Sequence, residues 1–360
     1  MHLETKNPRA FEYLRAAQLS LSKFQQLKNR EQLEHANRKL GKAIEVDPNY
    51  LRALYYRGLV NDMLGQPRLA AADFELVLKQ EPPFLTEVKY NLGVAIFHQY
   101  GPPNLELAIE YFKDVIKSTN DKALQLRARA GIAHAYAVMM IPNPPEEDAQ
   151  DCEKVDTFLG SAVAKEQVSK YHNLSLTESE RLKSELDKQK RLPSSIKEEI
   201  GWRWRNTCAV QHMFYTDYFS ENRIERLHEA ETKLSEADKI SPDNWSINSN
   251  IGSTCMRLGY WLKVSSAVDC EQIEEYFKKA ITRLDYVIDK LYPRYGFALY
   301  EKGRVYRLKG DFQKASEFLR EAREVPARDR AVGDATLKCE KRRVAKQESD
   351  YPYLASLNPS

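Results

Sequence analysis

Residues 36–48, ANRKLGKAIEVDP, and residues 70–82, AAADFELVLKQEP, decide the fold, because their key positions recur at one fixed interval. Each stretch contains, in order, a small residue, a large apolar residue, a second apolar residue and a proline. These are Ala36, Leu40, Ala43 and Pro48 in the first stretch and Ala70, Phe74, Val77 and Pro82 in the second, and each residue lies 34 positions before its counterpart. Positions spaced by four and three lie on one face of an α-helix, and the proline ends that helix. The pattern predicts a repeated amphipathic helix whose apolar face is covered by its neighbours.

The same helix pattern returns four more times along the chain. Its later copies are Ala108, Phe112, Val115; Ala230, Leu234, Ala237; Ala280, Leu284, Val287; and Ala315, Leu319, Ala322. Glycines stand inside the intervening helices, among them Gly58, Gly93, Gly131, Gly252 and Gly303. Because glycine costs about 1 kcal/mol against alanine inside a helix, its repeated use predicts that another helix crosses closely at each point.

With this period and these residues, the chain resembles a tetratricopeptide-repeat protein. The resemblance implies an all-α fold, an α-solenoid wound as a right-handed superhelix of about seven tetratricopeptide-like helix pairs with an irregular helical middle segment. Six pairs have a clear second helix, and a degenerate seventh is expected near residues 148–165. The resemblance covers roughly residues 31–326.

The repeat fails in the middle of the chain, which predicts several distinct segments. We expect a lead-in helix at 1–30, an N-terminal array at 31–165, an irregular charged helical insert at 166–200, a C-terminal array at 201–326, a basic capping helix at 327–346 and a tail at 347–360. Thr177 with Glu180 forms a capping-box pattern that predicts a helix start inside the insert. Ser195 predicts the start of a long helix that ends near Phe219. The spacing of 21 residues from Gly259 to Ala280 predicts longer helices or an extra turn there.

Composition and cysteine spacing favour a soluble cytoplasmic protein without membrane contact. The 360 residues are 42% hydrophobic and 30% charged with 14 glycines, which is typical of a folded helical chain. No apolar run approaches the roughly 20 residues that span a bilayer. Five widely spaced cysteines indicate reduced thiols rather than a disulfide framework. The whole chain has a net charge of +3. Residues 290–346 are more basic than the rest, with sixteen Lys and Arg against eight Asp and Glu.

Catalytic and cofactor motifs are not found in the sequence. It has no phosphate-binding glycine loop, no helical His pair for a metal and no nucleophile elbow, so we expect no enzyme, cofactor or metal site. Cys255 is interpreted as core filler, and His134 as a histidine whose polar edge is satisfied in a groove. Trp202 and Trp204 leave two interpretations open: packing of a long helix, which is favoured, or a recognition surface.

The resemblance also implies a concave groove, lined by the first helix of each pair, in which a partner binds. Carried over to this chain, that groove is lined by Arg52, Tyr55, Tyr90, Asn91, Phe97, Arg129, Tyr136, Asn250, Arg257, Tyr300, Arg304 and Arg307. The family's lysine clamp for a peptide carboxylate is missing, because Tyr55 and Tyr90 stand at the matching positions. An aromatic first groove and an arginine-lined second one predict two contacts, the second with an acidic segment.

Three functions remain open from the sequence. The first is a protein-interaction module, a scaffold, adaptor or regulatory subunit that holds a peptide or partner protein. The second is a sensor in a signalling or defence system that controls a separate effector. The third is a helical-repeat nucleic-acid binder acting through the basic C-terminal region, although no regular base-reading code appears in the repeats.

Overall fold

The computed structural model describes residues 5–27, 29–142, 144–145, 147–265, 270–292, 295–325 and 334–346, and these residues form helices and no β-strand. The helices are α1 (Pro8–Leu27), α2 (Arg30–Val46), α3 (Leu51–Met63), α4 (Pro67–Leu78), α5 (Leu85–Phe97), α6 (Pro102–Ser118), α7 (Lys122–Met139), α8 (Cys152–Leu159), α9 (Ala162–Lys188), α10 (Ser194–Thr216), α11 (Arg223–Ile240), α12 (Trp245–Val264), α13 (Cys270–Tyr286), α14 (Gly296–Lys309), α15 (Phe312–Glu324) and α16 (Asp334–Ala345). A π-helical turn, Val287–Leu291, continues α13. The all-α prediction is confirmed; the predicted tail and residues 327–333 of the predicted capping helix lie outside the described residues.

Internal contacts divide the chain into two units, residues 1–131 and 132–360, with the boundary inside α7. Helices pack as consecutive pairs: α1 with α2, α3 with α4 and α5 with α6 in the first unit, and α10 with α11, α12 with α13 and α14 with α15 in the second. The second helix of each pair is one of the six that the sequence predicts. The finer segment boundaries drawn from the sequence stay predictions.

The repeated apolar positions form the core. The small and apolar residues of the six predicted second-helix patterns are all at most 1% exposed: Ala36, Leu40, Ala43, Ala70, Phe74, Val77, Ala108, Phe112, Val115, Ala230, Leu234, Ala237, Ala280, Leu284, Val287, Ala315, Leu319 and Ala322. Because these residues are buried between helices, the repeat in the sequence corresponds to a repeat of packed helix pairs in the structure.

Glycines let the paired helices approach each other, as the sequence predicts. A Cβ atom added to Gly58 would lie 2.7 Å from a ring carbon of Phe74. At the two edges of the Phe112 ring, Gly93 and Gly131 would come within 2.9 and 2.7 Å. These distances are below van der Waals contact. The large apolar residue of each second-helix pattern therefore occupies the space that the opposing glycine leaves open.

The second unit uses the same device, with leucine opposite two of its glycines and Phe277 opposite Gly259. A Cβ atom added to Gly252 would lie 2.7 Å from Leu284, and one on Gly303 would lie 2.8 Å from Leu319. Local signals fix where the helices begin and end. The Asn29 side chain accepts the N–H of Glu31 at 2.8 Å to cap α2, and α14 ends at Gly310, whose φ of 83° lies in the left-handed region.

The irregular middle contains one long helix where the sequence predicts a new start. Because α9 runs unbroken through Thr177, the capping-box prediction is wrong; the Thr177 hydroxyl instead donates to the carbonyl oxygen of Asn173 at 2.8 Å. The helix is capped much earlier by Ser161, which accepts the N–H of Ala164 at 3.2 Å. The predicted long helix is α10, and α12 and α13, of 20 and 17 residues, take up the extra spacing before Ala280.

A disulfide joins two cysteines that the sequence predicts to be reduced. Cys152 on α8 bonds Cys339 on α16, 187 residues further along the chain, while Cys208, Cys255 and Cys270 are free. The prediction of five reduced thiols is wrong for this pair, because spacing along a chain does not show which cysteines the fold brings together. In the described residues, no helix combines the length and apolar character needed to cross a bilayer.

Candidate interaction surfaces

In the first unit, α3 and α5 are linked by polar side chains on one shared face. The Asn91 side chain donates to the Tyr55 hydroxyl oxygen at 2.9 Å, and the Nδ1 atom of His98 lies 2.8 Å from a carboxylate oxygen of Asp62. Each pair is separated by 36 residues. Burial and then the charge of Glu87 raise the pKa of Tyr55 to about 12, so its hydroxyl is neutral and can still donate. We call these four paired residues the α3–α5 face.

The other predicted groove residues of this unit differ in exposure. Arg52 is exposed, and Tyr90 is half-buried with its ring centroid 5.8 Å from that of Phe112. Phe97 and Arg129 are buried. The structure therefore brings Tyr55 and Asn91 together at a surface and places Phe97 and Arg129 in the interior.

In the second unit, most of the predicted groove residues lie in a buried polar interior, whereas Tyr136 is half-buried. Asn250 is buried and donates to the Asn206 side-chain oxygen at 2.9 Å. The Tyr136 ring stacks on Tyr171 of α9 with centroids 6.3 Å apart. His134 lies 3.1 Å from the hydroxyl of Thr207, which agrees with the interpretation of a satisfied histidine.

Arg257 is held by two carboxylates. Its guanidinium contacts both oxygens of Asp217 at 2.8 to 3.1 Å and lies 3.6 Å from Glu301. Burial alone would lower the pKa of Arg257, but the charges of Asp217 and Glu301 outweigh burial and raise it. Arg257 is therefore a permanently charged group inside the second unit, matched by the chain's own carboxylates.

Arg304 and Arg307 belong to the same charged interior. Tyr300 is buried beside Arg304, whose guanidinium carbon lies 5.5 Å from the centroid of the tyrosine ring. Arg304 contacts Glu301 at 2.5 Å, and Arg307 donates to Glu340 of α16. Both Arg307 and Glu340 are fully buried. The acidic partner that the sequence predicts for Arg307 is thus present in the chain itself, on its last described helix.

Helix α16 is fixed by further charged contacts to α8. Glu340 also accepts from Arg343 at 3.1 Å, and Arg343 in turn pairs with Asp156 of α8. Burial would raise the pKa of Glu340, but the positive charges of Arg307, Arg343 and Arg304 hold it below its ordinary value. The carboxylate therefore stays ionised at neutral pH, and arginines and carboxylates alternate from α14 through α16 to α8.

Nearer the surface, the same two helices meet through weaker bonds. Lys338 donates to the backbone carbonyl of Gln150 at 2.7 Å, and Arg342 contacts Glu153 at 2.7 Å. Together with the disulfide, these contacts close α16 onto α8. Sequence reasoning could have found Glu301 and Glu340, each three residues before an arginine of its own helix, but nothing local identifies Asp156 or Asp217.

Known proteins resemble this chain in structure more than in sequence. No family model and no curated protein matches it. A tetratricopeptide repeat protein from Parabacteroides merdae is 10% identical, with 92% of this chain and 99% of that one covered and a TM-score of 0.43. The human IFIT1 dimer with m7Gppp-AAAA is 14% identical over 98% of this chain and 80% of that one, with a TM-score of 0.42.

The TPR2AB domain of yeast Sti1 in complex with pHSP90 is 15% identical, covers 95% of this chain and 98% of that one, and has a TM-score of 0.29. Identities and TM-scores this low carry no information about function. The assignment of the fold therefore rests on the buried second-helix patterns of the chain itself and on the glycines that face them. They make it an all-α, tetratricopeptide-like helical-repeat protein.

Proposed function

We propose that this chain is a non-enzymatic interaction module, a scaffold, adaptor or regulatory subunit, that binds a protein partner through the α3–α5 face. The recurrence of polar pairs, Tyr55 with Asn91 and Asp62 with His98, is the observation that supports it. Helices α3 and α5 bury apolar residues on their other sides, such as Ala53 and Leu92. The polar face is thus available to supply aromatic area and hydrogen bonds to a peptide.

Co-purification with a matched pair of variants tests this proposal. The chain is immobilised as wild type, as the double variant Tyr55→Ala/Asn91→Ala, and as the control Leu69→Ala/Leu76→Ala, which truncates two exposed residues of α4. We expect a stoichiometric protein to bind wild type and control and to lose about tenfold or more in affinity for the double variant. Unchanged affinity of that protein for a folded double variant would reject the face.

A second variant keeps the test decisive if the first one is unstable. Asp62→Asn/His98→Gln retains the size of both side chains and removes the charge from the pair. We expect this variant to fold and to bind the same partner more weakly than wild type does. If no protein binds wild type in stoichiometric amounts, the proposal of an interaction module itself fails.

The sensor function is a second candidate, supported by the position of α16. Because Glu340 pairs with Arg307, an acidic partner segment that bound Arg307 would have to replace Glu340 and would loosen the contact of α16 with α14. Hydrogen exchange at residues 334–345 should then rise when such a partner binds. Unchanged exchange with the partner bound would leave the sensor function without support.

The C-terminal nucleic-acid function has less support. Six of its described cations are paired with carboxylates: Lys302 with Asp285, Lys309 with Glu274, Arg304 with Glu301, Arg307 with Glu340, Arg342 with Glu153 and Arg343 with Asp156. These six ion pairs reduce the basic surface that phosphate binding requires.

A further inference from the structure

The two tryptophans of the sequence Trp202-Arg203-Trp204-Arg205 have different environments in the structure. Residues two apart on a helix point to nearly opposite sides. Trp202 packs at the edge of the core cluster of the second unit. Trp204 is half-buried and lines a pocket between the end of α9 and the start of α10.

The pocket around Trp204 combines an apolar wall with several positive charges. Its volume is about 290 Å³, and its lining includes Lys183, Leu186, Asp187, Lys197, Trp204 and Arg205. Arg205 lies against the helix because Gly201 has no side chain; a Cβ atom there would be 3.1 Å from the arginine's Nη1 atom. At this volume, the pocket is at the small end of ligand sites and suits one ring with its phosphate rather than a long segment.

Cations surround the Trp204 ring itself. The Nζ atoms of Lys183 and Lys233 lie 5.6 and 5.1 Å from the ring centroid, and the guanidinium carbon of Arg205 lies 5.6 Å from it. Cations at such distances are attracted to the ring face. A base that stacks on Trp204 has to displace the cations that lie over the same face of the ring.

The charge of this region exceeds that of its surroundings. Residues 181–205 hold eight Lys and Arg against four Asp and Glu, in a chain whose net charge is +3. Lys197 donates to the backbone carbonyl oxygen of Lys190 at 3.2 Å, a bond that does not neutralise its charge. Lys188 at the end of α9, and Lys190 and Arg191 after it, are exposed and add to the positive charge of this region.

From this geometry we propose that the pocket binds one nucleotide, either free or as part of a single strand. Lys183 and Lys197 receive the phosphate, and the ring of the base lies against Trp204 and Leu186. Arg205 is already paired with Glu236, at 2.7 Å, and is not assigned to the phosphate. Stacking on an aromatic side chain together with backbone contacts to cations is the usual chemistry of single-strand binding. The site is distinct from the α3–α5 face and from the basic C-terminal region.

Asp187 opposes the ligand in this arrangement. Its carboxylate contacts Lys183 at 2.6 and 2.7 Å and must give way to a phosphate. Replacing it with asparagine removes the competing charge. Asp187→Asn is therefore expected to bind a nucleotide about two- to fivefold more tightly than wild type.

Fluorescence anisotropy of a labelled single-stranded oligonucleotide, at about 50 mM salt, tests the site in the full chain. We expect binding that weakens steeply towards about 200 mM salt. Trp204→Ala and Lys183→Glu/Lys197→Glu should each weaken binding by about tenfold or more. The control Lys113→Glu/Lys122→Glu changes the net charge equally at exposed residues of the first unit and should bind nearly as wild type.

Competition identifies the ligand class and its source. Adenosine monophosphate should compete, whereas inorganic phosphate should compete far more weakly because it cannot use Trp204. Competition by the mononucleotide as strong as by the strand assigns a free nucleotide, and stronger competition by the strand assigns a nucleic acid. Equal competition by inorganic phosphate, or stronger competition by a phosphoserine peptide, overturns the nucleotide proposal.

Intrinsic fluorescence gives an independent reading of position. Nucleotide should quench wild type and Trp202→Phe, and the quenching should vanish in Trp204→Phe. No binding at low salt, equal weakening by the control, or quenching that persists in Trp204→Phe each overturns the proposal. None of these outcomes affects the protein-partner proposal, which is tested on α3 and α5.

Discussion

Glycine opposite a large side chain is the residue-scale feature on which the fold depends. Gly58 allows Phe74 to fill the space between α3 and α4, and similar contacts recur in both units. The sequence predicts these contacts because a repeated glycine inside a helix needs a packing reason. Which large residue fills each gap follows from the ladder of the adjacent second helix.

Gly58→Ala should therefore destabilise the protein. Its new Cβ atom would lie 2.7 Å from the Phe74 ring, which must shift, so we expect the free energy of unfolding to fall by about 1–3 kcal/mol. Gly41→Ala is the matched control, since nothing lies within 4 Å of its added Cβ atom inside α2. It should raise the free energy of unfolding by about 0.5–1 kcal/mol in urea denaturation. Equal effects of the two variants would contradict the packing account.

A half-buried histidine, His172, predicts how stability depends on pH. Burial and then the charges of Arg226 and His212 lower the pKa of His172 to about 4, against about 6.5 in an unfolded chain. The folded state thus binds fewer protons than the unfolded state between these values. The stabilising contribution is complete above about pH 6.5 and is lost as the pH falls towards 4.

Urea unfolding at pH 7 and pH 5 measures this dependence. His172→Gln cannot titrate, so its free energy of unfolding should fall less than that of wild type between the two pH values. The variant His228→Gln, at a partly exposed histidine of α11, should keep the wild-type loss. A wild-type loss that is unchanged in His172→Gln would show that other groups carry the dependence.

At the scale of elements, α16 supplies the carboxylate that pairs with Arg307 in the interior of the second unit. The sequence predicts a basic capping helix there, and its basic residues are present. Its acidic Glu340 is the residue that reaches Arg307, and this contact could not be predicted because it joins residues 33 positions apart on different helices. The arginine-lined interior is consequently a set of internal ion pairs.

Removing the Glu340 charge tests the role of α16. Glu340→Gln leaves the buried Arg307 and Arg343 without their shared carboxylate, and breaking a buried pair costs about 3–5 kcal/mol. We expect either a lower free energy of unfolding or faster hydrogen exchange in 334–345 and 152–159. Measurements with and without a thiol reductant separate the ion pairs from the disulfide.

Arg342→Gln is the control on the same helix. It removes an ion pair with Glu153, whose side chain is 81% exposed, so we expect a change of at most about 1 kcal/mol. If Arg342→Gln destabilised α16 as much as Glu340→Gln, burial of the charge network would not be what holds the helix.

At the scale of the whole molecule, the sequence predicts the repeated parts and misses the contacts that join distant segments. The six second-helix patterns can be recognised in the sequence because each is a short local pattern that recurs along the chain. The disulfide of Cys152 with Cys339 and the pair of Arg343 with Asp156 span 187 residues each, and no local pattern encodes them. The same limit explains why Arg52 and Arg307, both placed in one groove by the resemblance, have different exposures.

Hydrogen exchange across the whole chain, with and without the co-purifying protein, shows whether the α3–α5 face binds that protein. We predict slower exchange in residues 51–63 and 85–97 on binding, and loss of that protection in Tyr55→Ala/Asn91→Ala. Protection confined to other segments, with 51–63 and 85–97 unchanged, would contradict the claim that the α3–α5 face binds the partner.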